Sequence, residues 1–388
     1  MNPAAAEEIT APAGLYPFEA ALLQIVRFGS PEVPALSAEA WGAVARLARW
    51  ESLTPLVHAA VRGTDAPAAA TVPPEIAAEM AAAHAASAGA VEGLYEQLST
   101  VTGALRAATI PAVVLKGAAL ARGVYQDAAL RPFSDLDLLV RVADVDRVHL
   151  ALTSLGYAIA GGAPSDADRA WRHGRGYFDP QRRRVPVDVH WRYAGYPLMF
   201  PIDYEDVFAR AILRSTGGVP GAMPSALDMV VALSVHFLRE LWYGKAKLRY
   251  LRDITEVCGR GPVEWTRLER VVDASPLLRT PLFLAVAAAA ALLRAPVPPD
   301  AIAALRPRRW RFLHRRLLGR VSRQMMRVER PVAAVTQVGL MRGLDAGVVD
   351  LTRWLWTLVA VPRPLAPSRR RWLRYLTGGP FRGVRPAD

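Results

Sequence analysis

Residues Leu115 to Val140 read LKGAALARGVYQDAALRPFSDLDLLV, and this stretch places Asp135 and Asp137 inside a run that otherwise has the texture of a buried strand. Side chains alternate across a strand, so Asp135 and Asp137 face one way while Leu136 and Leu138 face the other. Two carboxylates on one face, about 6 to 7 Å apart along the chain, can converge on a common point. At 4 Å and an effective dielectric of about 20, two like charges repel by roughly 4 kcal/mol. A positive group belongs between them. Magnesium is the natural candidate, since it prefers carboxylate oxygens, keeps several waters and completes its shell with phosphate.

The flanking sequence supplies the rest of a small α/β unit. Ile110 to Leu115 carries valines behind Pro111 and reads as a strand, Gly117 ends it, and Ala118 to Tyr125 reads as a helix. Asp135 to Val140 is a second strand. Asp144 then opens a helix that carries Val148, Leu152 and Leu155 and stops at Gly156. A third strand, Val185 to Trp191, follows the turn-rich Asp179 to Arg184. In it Asp188 interrupts an apolar alternation, so a third carboxylate can join the first two, and three carboxylates can hold two metals about 3.5 to 4 Å apart. Gly117 sits where a strand meets a helix, so backbone amides and the positive helix end can bind phosphate oxygens there. Lys116 lies beside it, and Arg131 offers a two-pronged phosphate clamp.

On both sides the chain reads as helix. Ser37 caps a helix turning Trp41, Val44 and Leu47 inward, and Val91, Leu94, Leu98, Val101 and Leu105 repeat near the helical period. From about residue 205 helices return: Ser225 with Asp228 forms a capping box for one through Met229, Leu233, His236 and Leu241, and another runs from Lys245 to Val257. Beyond them come a basic region, Arg306 to Arg330, and an aromatic segment with Trp354, Trp356 and Trp372. The expected fold class is α+β, a small core with a mixed sheet (109–204) flanked by an N-terminal helical region (1–108) and a C-terminal one (205–388).

Composition narrows the class of protein. At 388 residues and 52% hydrophobic, the chain can bury a full core. A net charge of +13 suggests an anionic partner. However, only Lys116, Lys245 and Lys247 are lysine, the composition of GC-rich coding, which inflates arginine. The same bias singles out those three positions, where a compact ammonium has not been replaced by guanidinium. Cys258 is the only cysteine, which excludes an intrachain disulfide and a thiolate metal cluster. The start MNPAAAEEIT lacks the basic, then apolar, pattern of a secretory signal, and Leu282 to Leu293 falls short of the ~20 residues of a membrane span. A cytoplasmic protein without a transmembrane segment is expected.

A strand ending in glycine, a helix, Asp-x-Asp on a second strand and a lone Asp on a third resembles the DNA polymerase β-like nucleotidyltransferase superfamily. Within it, the chain resembles an uncharacterised nucleotidyltransferase family through Leu115-Lys116-Gly117, Tyr125, Arg131, Ser134 to Val140 and Asp188-Val189-His190-Trp191, with His236 and Asp253 matching later features. The resemblance covers roughly residues 109 to 257; Ala118 departs from the usual Gly or Ser. It implies catalytic, metal-binding roles for Asp135, Asp137 and Asp188, with two magnesium ions. It also implies nucleotide contacts at Lys116, Gly117, Arg131 and Ser134. The implied reaction is transfer of a nucleoside monophosphate from an NTP to a small-molecule, peptide or protein acceptor, with pyrophosphate leaving. Two other readings stand beside it: an inactive binding module whose basic C-terminal helices contact RNA or a partner, and a metal-dependent glycosyltransferase. The latter fits poorly, because the residues before the motif are helical. A phosphatase of the Asp-x-Asp-x-Thr kind is disfavoured by Leu139, and no Ser-His-Asp order, zinc helix motif or long glycine-rich phosphate loop is evident.

Overall fold

A computed structural model describes residues 15–306 apart from 65–66, 196–199, 217–218 and 243–244; the basic region past Arg306 and the tryptophan segment lie outside the described residues. Four helices come first: α1 (Pro17–Ile25), α2 (Ala38–Trp50), α3 (Thr54–Arg62) and α4 (Pro74–Ala107). Ser37 caps α2, its hydroxyl accepting the Ala40 N–H at 3.3 Å. α4 opens on a proline, whose missing N–H costs nothing there, and buries Val91, Tyr95, Leu98, Val101 and Leu105. Tyr95 takes the buried place expected of Leu94, because its hydroxyl reaches across to the Ala118 carbonyl at 2.6 Å.

The strands are β1 (Ala112–Leu115), β2 (Leu136–Val140), β3 (Ala158–Ile159), β4 (Gly174–Phe178), β5 (Val187–His190), β6 (Ile212–Thr216) and β7 (Val219–Met223). They form one mixed sheet in the order β3-β4-β5-β2-β1-β7-β6. β2 lies between β1, antiparallel, and β5, parallel, and with α5 packed against it is buried at every residue. That enclosure explains its near-continuous apolar run. β1, β2 and β5 are the three strands legible in the sequence. β6 and β7 stand where helices were expected to return, and β7 pairs with β1 in the same sheet, so the sheet draws on residues 112–223.

The remaining helices are α5 (Lys116–Gly123), α6 (Val145–Ser154), α7 (Asp166–Trp171), α8 (Tyr204–Ala209), α9 (Ala226–Trp242), α10 (Leu248–Arg260), α11 (Trp265–Ala274), α12 (Arg279–Leu293) and α13 (Pro299–Leu305). The fold is α+β, a mixed sheet with flanking helices. α9, α10 and α12 pack on one another, and α12 is apolar all round because it is enclosed all round. Pro276–Leu293 has the length and composition of a membrane span, yet 78% of it is buried inside the fold, as befits a core helix. Residues from α1 through α13 share one hydrophobic core.

One carboxylate joins the N-terminal helices to α10. Glu51, 1% exposed at the end of α2, accepts the Leu248 N–H at the start of α10. Burial pushes its pKa from 4.5 up to about 7, against the pull of that hydrogen bond and of Lys247 and Arg249. A folded pKa above the unfolded one means the protonated acid favours folding. That stability is fully present below pH 4.5 and is lost as pH rises through about 7, amounting to about 3 kcal/mol. Melting curves from pH 5 to 8 should therefore show the wild type losing stability relative to Glu51→Gln; parallel curves would refute the assignment.

Candidate active site

The sheet brings three separated segments into one row. Leu115 of β1 lies opposite Asp137 of β2, Asp137 opposite Asp188 of β5, and Asp188 opposite Gly176 of β4. Neighbouring strands lie about 4.8 Å apart, so the two aspartates are placed side by side by register alone. One carboxylate oxygen each from Asp137 and Asp188 and a ring nitrogen of His190 lie within 4.8 Å of one another. Asp135, just before β2, stands outside this group but near enough for its charge to act on Asp137 and Asp188. A Cβ on Gly176 would come within 2.8 Å of Asp188 Oδ1, so the glycine leaves the room this carboxylate occupies.

The four groups do not share one charge state. Asp137, 2% exposed, accepts hydrogen bonds at Oδ1 from Lys116 Nζ at 2.5 Å and from His190 Nε2 at 2.7 Å. Burial opposes its ionisation, but the Lys116 ammonium and His190 more than offset it and hold the carboxyl well below the usual carboxylate range. Asp188 is pushed up to about 6, first by burial and then by the charge of Asp137. Asp135 is raised for the same two reasons. His190 is lowered to about 4 by burial and by Lys116, so at neutral pH it is uncharged. Because Asp137 can only accept, the His190 proton is assigned to Nε2. Carboxylates raised by one another's charge fit a site for a divalent cation. Asp137 and Asp188, with Asp135 beside them, are the donors that would hold it, and His190 lies within 4.8 Å of the first two. Among the described residues, Lys116 supplies the only positive charge touching Asp137.

Lys116 starts α5 with φ at +45°, a left-handed conformation that costs a lysine about 1 to 2 kcal/mol. The strain turns the chain from β1 into α5 with the ammonium aimed at Asp137. Gly117, expected as a phosphate-binding turn, meets a packing demand: a Cβ there would lie 2.5 Å from Phe133 Cβ. Phe133 in turn meets Tyr95 edge-on at 5.9 Å. Gly117→Ala should cost about 1 to 3 kcal/mol in urea unfolding, and its cost should shrink when it is introduced into a Phe133→Gly background, which lacks the Cβ it meets. Equal stability of wild type and Gly117→Ala would remove this explanation.

Arg131 is corrected by the structure. Its Nε and Nη2 grip Asp253 at 2.6 and 2.8 Å, its Nη1 donates to the Pro132 carbonyl at 2.8 Å, and it is buried. A guanidinium with all three nitrogens engaged has no fork left for a phosphate. It anchors the loop leading to Asp135, with Tyr125 bound to the same Asp253 oxygen at 2.9 Å. Ser134, the residue before Asp135, is exposed.

Further residues line the site from elements the sequence did not join to it. His173 stacks on His190 with ring centroids 5.4 Å apart and pairs with Arg239 of α9 at 2.7 Å. His236, one turn earlier on α9, packs edge-on against Tyr250, and its buried Nδ1 has no hydrogen-bond partner. Burial and the charges of Lys116 and Arg239 hold it well below the usual histidine range. The alternating glycines of β4, Gly174 and Gly176, were the sequence signal that a strand pairs closely beside Asp188. The Cys258 thiol is pushed up to about 12 by burial, which keeps it from acting as a nucleophile.

A model of an uncharacterised nucleotidyltransferase family matches residues 37–294, from the α2 cap to the end of α12. No curated protein matches the chain.

Proposed function

Since the chain belongs to the uncharacterised nucleotidyltransferase family, we propose that it transfers a nucleoside monophosphate from an NTP to an acceptor, with magnesium as cofactor and pyrophosphate as the leaving group. The observation that carries this reading is the in-register pairing of Asp137 with Asp188 on parallel strands, beside Asp135 and the strained turn at Lys116. Asp135, Asp137 and Asp188 would hold the metal, with His190 orienting Asp137 through its Nε2–H. Bound divalent cations would neutralise the charge of the polyphosphate and lower the pKa of an attacking hydroxyl.

This chain's own groups then divide the work. Asp188, with a pKa near working pH and one edge open toward Gly176, accepts the acceptor's proton on a carboxylate oxygen. Lys116 brings a fixed positive charge to the reacting phosphate while keeping Asp137 ionised. Gly117, at the start of α5, and the exposed Ser134 would contact the nucleotide through backbone N–H and hydroxyl.

The acceptor is a small molecule, peptide or protein in this reading, and a cytoplasmic setting goes with it. Incubating the protein with each labelled NTP and magnesium, then with a cell extract, tests it through pyrophosphate release and a labelled acceptor. Transfer of sugar from a nucleotide-sugar would favour a glycosyltransferase instead, and no transfer at all would favour a binding module.

A further inference from the structure

Two cations stand beside the site, and the buried Glu51 is a carboxyl that feels the charge of both. Lys247 precedes α10 and Arg249 lies in its first turn. Among the described residues, neither makes an ion pair with a carboxylate within 4.0 Å. Arg249 Nη1 donates to the Pro132 carbonyl at 3.4 Å, its side chain hydrogen-bonds that of Tyr250, and its Nε is buried without a partner. The aromatic ring of Tyr250 lies 5.6 Å from this guanidinium and offers no charge. Lys247 Nζ contacts the Ser52 hydroxyl at 3.3 Å and stands 5.6 Å from the ring of Trp50, itself 55% exposed.

The position of this pair connects it to the chemistry. Pro132 is three residues before Asp135, and the charge of Arg249 acts on Asp135 directly. Burial, then the neighbouring Arg131, lowers the pKa of Arg249. Burial, then Arg249, lowers that of Lys247. Two desolvated cations that repel each other raise the energy of the fold unless an anion joins them. Asp253 and Glu51 act on them through space but grip neither, since both Asp253 oxygens are held by Arg131 and Glu51, its pKa pushed up by burial, accepts the Leu248 N–H. Lys247 is also one of only three lysines in the chain, so an ammonium is kept where arginine is the rule.

We propose that Arg249 and Lys247 form a polyphosphate subsite, which holds the two terminal phosphates of the NTP and the departing pyrophosphate. The proposal rests on the nucleotidyltransferase reading for the identity of the ligand, but not for the existence of the anion site. It moves the role expected of Arg131 to a guanidinium that, among the described residues, no carboxylate grips. A forked donor and a compact ammonium together match a chain of tetrahedral phosphates, each oxygen of which accepts.

The test uses inorganic tripolyphosphate as probe, titrated calorimetrically into the full-length protein without metal. Binding to the wild type should weaken about tenfold in Arg249→Gln and about tenfold in Lys247→Gln, a loss of about 1.4 kcal/mol each. Unchanged melting temperatures would show that the fold is intact. Lys247→Gln guards against a folding defect confined to Arg249→Gln, both side chains being partly exposed. Equal binding by wild type and both variants, or no binding by the wild type, overturns the subsite. NTP turnover is followed in the same samples. Loss of tripolyphosphate binding in the variants, with no NTP turnover by any sample, would keep the anion site and defeat the nucleotidyltransferase reading. Turnover with unaltered KM for NTP in Arg249→Gln would do the reverse.

Discussion

Replacing Asp188 by asparagine is expected to abolish nucleotide turnover and, in the same molecule, to stabilise the fold. The carboxyl is pushed up to about 6 by burial and by Asp137, so at neutral pH its charge works against folding. Asparagine removes that charge and nearly preserves the shape. After allowing for solvent screening, the gain is about 1 to 2 kcal/mol in urea unfolding at pH 7.5. Asp137→Asn should also lose turnover, by about 10³-fold, the loss typical of removing one preorganised charge contact from a reacting centre. Its effect on stability has the opposite sign, because Lys116 and His190 both depend on Asp137 Oδ1. Opposite shifts in stability with a shared loss of activity are what a functional cluster of like charges produces. Full activity in either variant would defeat the catalytic assignment.

The largest structural effect is expected at Asp253, which is 0% exposed and binds Arg131 through both oxygens and Tyr125 through one. Asp253→Ala strands a buried guanidinium, at a cost of about 3 to 5 kcal/mol. The double variant Arg131→Met with Asp253→Leu removes both charges and should be markedly more stable than Asp253→Ala alone. Denaturant unfolding of the three proteins decides the matter. If the double variant is as unstable as the single one, the cost lies in packing, and the ion pair is not the anchor of the Asp135 loop.

The row of carboxylates was legible before any coordinates because each one breaks an apolar run that demands another explanation. Asp135 and Asp137 in SDLDLLV, and Asp188 in VPVDVHW, are such interruptions, and the strands around them were found within two residues or so. The helical flanks were legible through caps and periodicity, as at Ser37 and along α4. The hairpin of β6 and β7 was not, since its pairing with β1 is long-range and its exposed Ile212 and Leu213 give no inward alternation. Arg131 was misjudged because an arginine before a carboxylate motif looks the same whether its partner is a phosphate or an aspartate 122 residues away.

Local order along the chain was thus enough to determine the identity of the acidic residues, the strands that carry them and the α+β class, because alternation and glycine placement act within a few residues. Only tertiary structure decided which cations are already neutralised and which remain available. Arg131 and Arg249 are chemically identical, and the difference between them is made by Asp253 folding back onto one and not the other. Charge compensation acts through space, and spatial neighbours drawn from distant segments leave no mark on the local sequence.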